Sequence, residues 1–251
     1  QRAHYKDELA DVHSIILDKN KDHPGVTYAI KWLDLVLSGA VTLDGAPVTL
    51  MTNIELPDDI DAVSRERSSG VGLYRTEFLF MNRRTPPDEE EQYATYTQVV
   101  DRLRGKPLTI RTLDMGADKQ VDGAGTGARS VNNPALGLRA IRLCLKDPDL
   151  FMPQLRAILR ASAHGPVRLM IPMLSNMHEL QQVLQLVSET RNRLERSGLA
   201  FDPAMPVGGM IEIPAAALSA AAFAGKLDFL SIGTNDLIQY TLAIDRVDDE
   251  V

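Results

Sequence analysis

Arginines and carboxylates stand at the ends of several short apolar runs, each with the pattern of a β-strand. The four that matter most are Arg75, Arg111, Glu212 and Asp236. The planar, permanently charged guanidinium group binds phosphate and carboxylate groups through paired hydrogen bonds. Two carboxylates beside several cations suit a Mg²⁺ ion that also contacts a phosphorylated substrate. The residue types indicate either an anion site with a metal or salt bridges at one edge of a sheet, and both remain open at this point.

Two further side chains need an interpretation. Asp114 ends the third apolar run, where it could hold one of the arginines in place. Cys144, the single cysteine, lies within an apolar helical stretch, and free cysteine is among the most buried residue types. We therefore expect Cys144 to be a packed core residue rather than a reactive group.

The apolar runs recur along the chain and are bounded by turn residues. They cover residues 48–54, 70–75, 107–114, 167–173, 207–213 and 228–233. Each run is continuous rather than alternating, which is typical of parallel strands covered by helices on both faces. Strand–helix units in series form an open sheet or a closed barrel, and no glycine-rich nucleotide-binding motif follows the first run. We predict an α/β fold of the (β/α)8 TIM-barrel type, incomplete here with about six units, preceded by an N-terminal helical segment.

Helical patterns separate most of these runs. They are predicted over residues 87–103, 133–146, 149–163, 176–197 and 215–224, with a further helix beginning at Leu237. The Asp147-Pro148 pair divides the second of these helices from the third, because proline seldom continues a helix from within.

Composition excludes several classes of protein. The net charge is −7 and no basic stripe offsets it, which argues against a nucleic-acid-binding role. No apolar run approaches the ~18 residues of a membrane-spanning helix, and the N-terminal residues lack the apolar core of a signal peptide. A lone cysteine cannot form an internal disulfide, so we expect a cytoplasmic location.

Six strings of this sequence resemble those of the PEP-utilising enzyme family, and of its Enzyme I branch in the sugar phosphotransferase system in particular. They are GVGLYRTEFLF (70–80), RTLDMGADK (111–119), NPALGLRAIR (133–142), LRAILRAS (155–162), MIEIPAA (210–216) and SIGTNDLIQYTLAIDR (231–246). The resemblance implies a PEP-binding barrel domain over residues 41–251. Residues 1–40 would then form a helical linker with an insertion, residues 12–39, that matches nothing in the family.

The resemblance also implies a role for individual residues. The predicted catalytic residues, which would grip the phosphoryl group of phosphoenolpyruvate, are Arg75, Arg111 and Arg246. The other predicted substrate-binding residues are Lys119, Arg139 and Asn235. The predicted ligands of a Mg²⁺ cofactor are Glu212 and Asp236.

Enzyme I passes the phosphoryl group of phosphoenolpyruvate to a histidine of an N-terminal domain, releases pyruvate, and serves a small carrier protein, HPr. The resemblance implies these partners, and it implies a homodimer because relatives dimerise through this domain. The sequence contains neither the family's Gly-Met-Cys-Gly-Glu string nor its phosphorylated histidine motif. We therefore expect the chain alone not to complete the reaction cycle, and we expect the edges of an unclosed barrel to favour self-association.

Three alternatives remain. A pyruvate phosphate dikinase or PEP synthase fragment would share the barrel. At the end of the second strand, however, those enzymes have a string similar to Arg-Thr-Glu-His, whereas this chain has Phe78 in place of the histidine. A non-catalytic PEP-binding dimerisation module would keep the arginines without turnover. A metal-dependent aldolase or lyase acting on pyruvate-like substrates would use Mg²⁺ with Glu and Asp but would have less need for three arginines.

Overall fold

The computed structural model describes residues 42, 44–65, 68–83, 85–116 and 135–245. Contacts divide the chain into two compact units, Gln1–Leu50 and Met51–Val251, and every helix and strand named below belongs to the second. The predicted helical segment over residues 1–40 lies outside the described residues. The predicted domain boundary at residue 41 therefore stays a prediction.

Within the described residues, six parallel strands form one sheet in chain order, and each strand pairs with the next one along the chain. They are β1 (Thr52–Ile54), β2 (Val71–Arg75), β3 (Leu108–Arg111), β4 (Val167–Ile171), β5 (Val207–Ile211) and β6 (Phe229–Ile232). A parallel sheet in chain order, with a helix after each strand, is the arrangement from which a (β/α) barrel is built. The predicted fold class is confirmed: the sheet is an incomplete TIM-type barrel of six strand–helix units.

Eight α-helices are described in the same unit. They are α1 (Ile60–Arg65), α2 (Glu89–Leu103), α3 (Ala140–Lys146), α4 (Pro148–Ala161), α5 (Met177–Arg196), α6 (Pro214–Leu218), α7 (Ala220–Ala224) and α8 (Thr234–Leu242). Side chains cap three of the longer helices: Asp88, Asp147 and Asn176 each accept a hydrogen bond from a backbone N–H of the first turn. The division at Asp147-Pro148 is confirmed, with Pro148 in the first position of α4.

The structure corrects three helix predictions. Residues 135–139 form turns rather than the start of a helix, and α3 begins only at Ala140. The alanine-rich helix is interrupted at Ser219 and forms two short helices. The last helix begins at Thr234, three residues earlier than predicted, because its first turn is polar and gives no apolar periodicity.

The core lies between the sheet and the long helices α2, α4 and α5. Every residue of β3 and of β5 is buried, which explains the continuous apolar runs that predicted them. Tyr74, Tyr96 and Phe151 are among the largest fully buried side chains. Cys144 is buried as predicted, and burial raises the pKa of its thiol to about 12, so the group is inert at neutral pH.

The edge of the sheet formed by β6 is more exposed to solvent than the strands at its centre. Apolar side chains of β6 and its neighbouring helices α6 and α8 are exposed; they are Leu218, Leu230, Ile232, Ile238 and Leu242. The burial of β6 alternates between intermediate and exposed, whereas that of β5 is complete. Within the described residues, no helix combines the length and hydropathy needed to cross a bilayer.

Candidate active site

Strand topology brings the predicted site residues to one edge of the sheet. Arg75 is the last residue of β2 and Arg111 is the last residue of β3, and the two are direct register partners. Glu212 immediately follows β5, and Asp236 lies in the first turn of the helix that follows β6. Because all six strands are parallel, these residues lie at the C-terminal edge, where βα-barrel enzymes place their catalytic groups.

Arg111 lies almost buried between two carboxylates. Its Nη2 is 2.5 Å from Oε1 of Glu77, and its Nη1 is 3.2 Å from Oδ2 of Asp114. Burial opposes the positive charge, but Glu77, Asp114 and Glu212 outweigh it, and the pKa of Arg111 is raised. Arg111 is therefore held as a fixed cation whose orientation is set from both sides.

Two polar atoms of this pair have no hydrogen-bond partner among the described residues. They are Nε of Arg111 and Oε2 of Glu77, and both are fully buried. A buried N–H without an acceptor is costly, and such groups in native proteins usually serve a ligand, an ion or a water. An anionic ligand at this edge would supply the acceptor that Arg111 lacks.

Asp114 extends the charged network to Arg139. One carboxylate oxygen accepts hydrogen bonds from Nη2 of Arg139 at 2.7 Å and from its Nε at 3.2 Å, while the other faces Arg111. The proposed role of Asp114 in holding an arginine agrees with these contacts, which join it to two. Nη1 of Arg139 also lies 3.9 Å from Oδ1 of Asp236, so the network reaches the predicted metal ligands.

Arg139 reaches the sheet through an unusual backbone path. It bridges Gly116 in antiparallel fashion, and the next residue, Ala140, has a positive φ of 48° and donates its N–H to the carbonyl of Met115. A left-handed conformation costs a non-glycine residue roughly 1–2 kcal/mol. Strain of this kind persists where the surroundings fix the chain, and here it turns Arg139 towards the end of β3.

Glu212 is held rigidly beside this network. Its side chain is buried, and Oε1 accepts a hydrogen bond of 2.6 Å from the backbone N–H of Met173, another residue with positive φ. Burial raises the pKa of the Glu212 carboxyl to about 7, and the negative charges of Asp114 and Asp236 contribute to the rise. A cation next to Glu212 would favour its ionised form.

The carboxylates at this edge fit a Mg²⁺ ion. In the described part of the chain no cluster of three or more His, Cys, Asp or Glu side chains is arranged as a complete metal cage. Mg²⁺ does not require one, because it is commonly bound by one or two carboxylates and completes its shell with water and substrate oxygens. Glu212, with one oxygen already fixed by Met173, and Asp236 match that requirement.

Gly233 leaves the space that Glu212 occupies. A Cβ at position 233 would lie 2.5 Å from Oε2 of Glu212 and 2.7 Å from its Cβ, although the φ of Gly233, −88°, suits any residue. We expect Gly233→Ala to lower the free energy of unfolding by ~1–3 kcal/mol through this overpacking. Chemical denaturation measures it. Gly225→Ala is the control, because its Cβ would have no contact closer than 3.6 Å; an equal loss in both variants would contradict the prediction.

Arg75 stands apart from the buried network. Its Nη1 is 2.6 Å from Oε1 of Glu55, just beyond β1, and both side chains are about 40% exposed (39% and 40%). An exposed pair of this kind contributes only ~0–1 kcal/mol, so Glu55 can release Arg75 to a stronger anion at little cost. Arg75, paired with Glu55, and Arg111, paired with Glu77 and Asp114, therefore lie on adjacent strands, as the predicted role of both in binding one anion requires.

The structure says less about the three remaining predicted residues, Asn235, Lys119 and Arg246. Asn235 lies in the first turn of α8, next to Asp236, and is exposed. Lys119 and Arg246 lie outside the described residues. The roles assigned to all of these residues stay predictions.

Sequence reasoning gave no role to several residues that hold the site together. Glu77 was visible as a charged residue at the end of β2, but only the pairing of β2 with β3 reveals its contact with Arg111. Glu55 and Met173 gave no signal, since neither belongs to a pattern of charge or periodicity that marks a site.

Comparison with known proteins adds independent findings. A family described as "PEP-utilising enzyme, PEP-binding domain" matches residues 31–251. Three similar curated proteins carry the name phosphoenolpyruvate-protein phosphotransferase. The one from Cupriavidus necator is 55% identical over 213 residues, 84% of this chain and 36% of its own length. The one from Geobacillus stearothermophilus is 46% identical over 221 residues, which is 88% of this chain and 38% of its own length. The one from Staphylococcus aureus is 45% identical over 211 residues, which is 84% of this chain and 36% of its own length. The chain thus spans little more than a third of these relatives.

Proposed function

This chain belongs to the PEP-utilising enzyme family, and from that premise we propose that it is the PEP-binding domain of an Enzyme I-type phosphoenolpyruvate-protein phosphotransferase. The whole protein would transfer the phosphoryl group, with Mg²⁺, to a histidine of an N-terminal domain and then to an HPr-like carrier for sugar uptake. The observation that carries the proposal is the buried Arg111, fixed by two carboxylates and with Nε unused, beside the carboxylate Glu212.

The chain's own residues would act mainly by binding and charge neutralisation. Phosphoryl transfer breaks the bond between phosphorus and the enol oxygen, forms a bond to the acceptor nitrogen, and leaves an enolate that is protonated to pyruvate. The loose transition state of this reaction needs fixed positive charge around the phosphoryl oxygens more than covalent help. Arg75 and Arg111, together with Arg246, would supply that charge, assisted by Asn235.

Arg139 and Lys119 would lie near the other end of the substrate, with Arg139 the group that receives its carboxylate. Glu212 and Asp236 would hold the metal, which would neutralise phosphoryl oxygens when bound. Asp114 would keep Arg111 and Arg139 in a constant relative orientation, since one carboxylate contacts both. A substrate with a phosphate at one end and a carboxylate at the other fits that pair of cations.

Calorimetric titration tests the proposal. We call Arg75, Arg111 and Arg139 together the cradle. We expect the chain to bind phosphoenolpyruvate in a Mg²⁺-dependent manner. It should bind pyruvate or inorganic phosphate much more weakly, because each of those ligands carries only one of the two anionic groups that the cradle would contact. A folded chain that binds no phosphoenolpyruvate, or binds it equally well without Mg²⁺, would contradict the proposal. Equal binding of pyruvate and phosphoenolpyruvate would instead favour an aldolase or lyase.

We also propose that copies of the chain associate. Among the described strands β1 and β6 each have one neighbour, and the β6 side carries exposed apolar residues, including Ile232 (68% exposed) and Leu242 (62%). Exposed strand edges and apolar patches favour association with another chain. Sedimentation velocity is expected to show a species larger than a monomer, and the Ile232→Lys/Leu242→Lys variant is expected to shift it towards the monomer. A monomeric wild type would contradict this expectation.

A further inference from the structure

A buried glutamine lies behind the arginine network, on a helix rather than on a strand. Gln154 belongs to α4 and is 1% exposed. Its Oε1 accepts a hydrogen bond of 2.9 Å from the backbone N–H of Leu113, and its Nε2 donates to Oγ1 of Thr76 at 3.1 Å and to the hydroxyl of Tyr96 at 3.3 Å. One side chain therefore joins the chain segments that follow β2 and β3.

Thr76 carries the connection back to the predicted phosphate-binding residue. The buried Thr76 hydroxyl donates a hydrogen bond of 2.9 Å to the backbone carbonyl of Arg111. The amide of Gln154 thus fixes Leu113 directly and Arg111 through Thr76. Between those two anchor points lies Thr112, whose N–H donates to the carbonyl of Met170 on β4.

The backbone of residues 111–113, held in this way, positions Arg111 and Arg139. The side chain of Arg111 leaves the chain at the start of this segment. Asp114, which contacts Arg111 and Arg139, follows directly after it. A shift of this backbone would move a cation and the carboxylate that orients it together. We propose that Gln154 is a positioning residue for phosphoenolpyruvate binding, acting through the backbone at the end of β3; this inference rests on the proposed function.

A glutamine side chain has the length and the amide group needed to bind both the Leu113 N–H and the Thr76 hydroxyl. Glutamine offers an acceptor to Leu113 and donors to Thr76 and Tyr96, and all of these groups are buried, so a missing partner is not replaced by solvent. Methionine has nearly the same shape and neither function. Glutamate keeps the acceptor but would draw the Thr76 hydroxyl hydrogen away from the Arg111 carbonyl.

The same chain of hydrogen bonds contains a matched control. Tyr96 donates to Oε1 of Gln92 at 3.0 Å, and Nε2 of Gln92 donates to the carbonyl of Pro87 at 2.9 Å. Gln92 is also 1% exposed and also lies on a helix, α2, but it makes no hydrogen bond to the end of β3. Replacing Gln92 by methionine removes buried hydrogen bonds of the same kind without releasing Arg111 or Leu113.

The test compares Gln154→Met, Gln154→Glu and Gln92→Met in the whole chain, by thermal unfolding and by titration with phosphoenolpyruvate and Mg²⁺. We expect both methionine variants to unfold at lower temperature than wild type. Losing an outer partner of a metal ligand typically costs ~10–100-fold in affinity. We expect a comparable loss of phosphoenolpyruvate affinity for Gln154→Met, because its hydrogen bonds hold the backbone at Arg111 and Leu113. Gln92→Met is expected to bind within about twofold of wild type, because Gln92 meets this network only at Tyr96 and leaves the bonds of Gln154 to Leu113 and Thr76 in place.

Hydrogen exchange at the Leu113 amide gives a readout independent of the ligand, and it should accelerate in Gln154→Met but not in Gln92→Met. If Gln154→Met fails to fold, Thr76→Val decides, because it keeps the Leu113 bond, removes only the hydroxyl that binds the Arg111 carbonyl, and should fold yet bind more weakly. Wild-type affinity in the folded Gln154 variants, or equal losses of affinity in both methionine variants, would overturn this inference alone. A folded wild-type chain that binds no phosphoenolpyruvate would overturn the proposed function and this inference with it.

Discussion

Replacing Arg111 by methionine is expected to remove phosphoenolpyruvate binding and to destabilise the chain at the same time. Hydrogen bonds to charged groups contribute ~1.5–3 kcal/mol each, so losing the paired contacts of one guanidinium should weaken binding by about a hundredfold or more. Removing one partner of a buried ion pair costs ~3–5 kcal/mol, because Glu77 would stay buried without its counter-ion. Burial already raises the pKa of Glu77 and Arg111 lowers it, so the carboxyl would have to take up a proton in the variant. Calorimetric titration measures the first effect and chemical denaturation the second.

A double variant separates these two effects. Glu77→Gln removes the carboxylate that Arg111→Met leaves unpaired, so Arg111→Met/Glu77→Gln should recover much of the lost free energy of unfolding. Phosphoenolpyruvate binding should not recover, because the cation itself is missing. Recovery of both stability and affinity would mean that Arg111 is a structural residue, and the proposed cradle would be wrong.

The arrangement of the sheet could be predicted because burial determines it. Strands covered on both faces carry continuous apolar runs, and the structure has a strand within each of the six predicted ranges. The helix predicted from residue 133 was wrong over residues 135–139, where apolar spacing continues but the backbone must turn to bring Arg139 against Gly116. A long-range contact overrode the local pattern at that point.

The cations of the site could be predicted, whereas most of their partners could not. Arg75 is visible because it ends an apolar run, and Arg111 because it lies within the next run towards its end; parallel strands end at one edge. Glu55 and Glu77 become partners only when β1, β2 and β3 are placed side by side. The positive φ of Met173 leaves no mark in the sequence, because methionine has no preference for that conformation.

The network also explains why this edge has more carboxylates than the two proposed as metal ligands. Glu77 and Asp114 balance Arg111 in a site with little solvent, and without them an isolated cation could not be buried. Glu212, in contrast, accepts its hydrogen bond from a backbone N–H rather than from an arginine. Burial raises the pKa of Glu212 to about 7, so the protein balances its charge only in part, and a bound cation would favour the ionised form.

That difference leads to the second large expected effect. Glu212→Gln keeps an oxygen that can accept from the Met173 N–H but removes the negative charge that would bind Mg²⁺. We expect the variant to be at least as stable as wild type, because a buried amide costs less desolvation than a buried carboxylate. We expect the Mg²⁺-dependent gain in phosphoenolpyruvate affinity to be lost, by tenfold or more, since losing a first ligand should cost at least the ~10–100-fold that outer partners do.

Glu179→Gln provides the matched comparison. Glu179 also accepts a hydrogen bond from a backbone N–H beyond β4, that of Ser175 at 2.8 Å, and its side chain is only 14% exposed, but Arg142 lies 3.8 Å away and it has no predicted metal role. Its glutamine variant should keep the response to Mg²⁺ in titrations with and without the ion. Loss of Mg²⁺-dependent binding combined with retained stability is the signature of a binding group, because replacing a residue that serves only packing would change both or neither. A Glu212→Gln chain that still responds to Mg²⁺ as wild type does would assign the metal to other ligands.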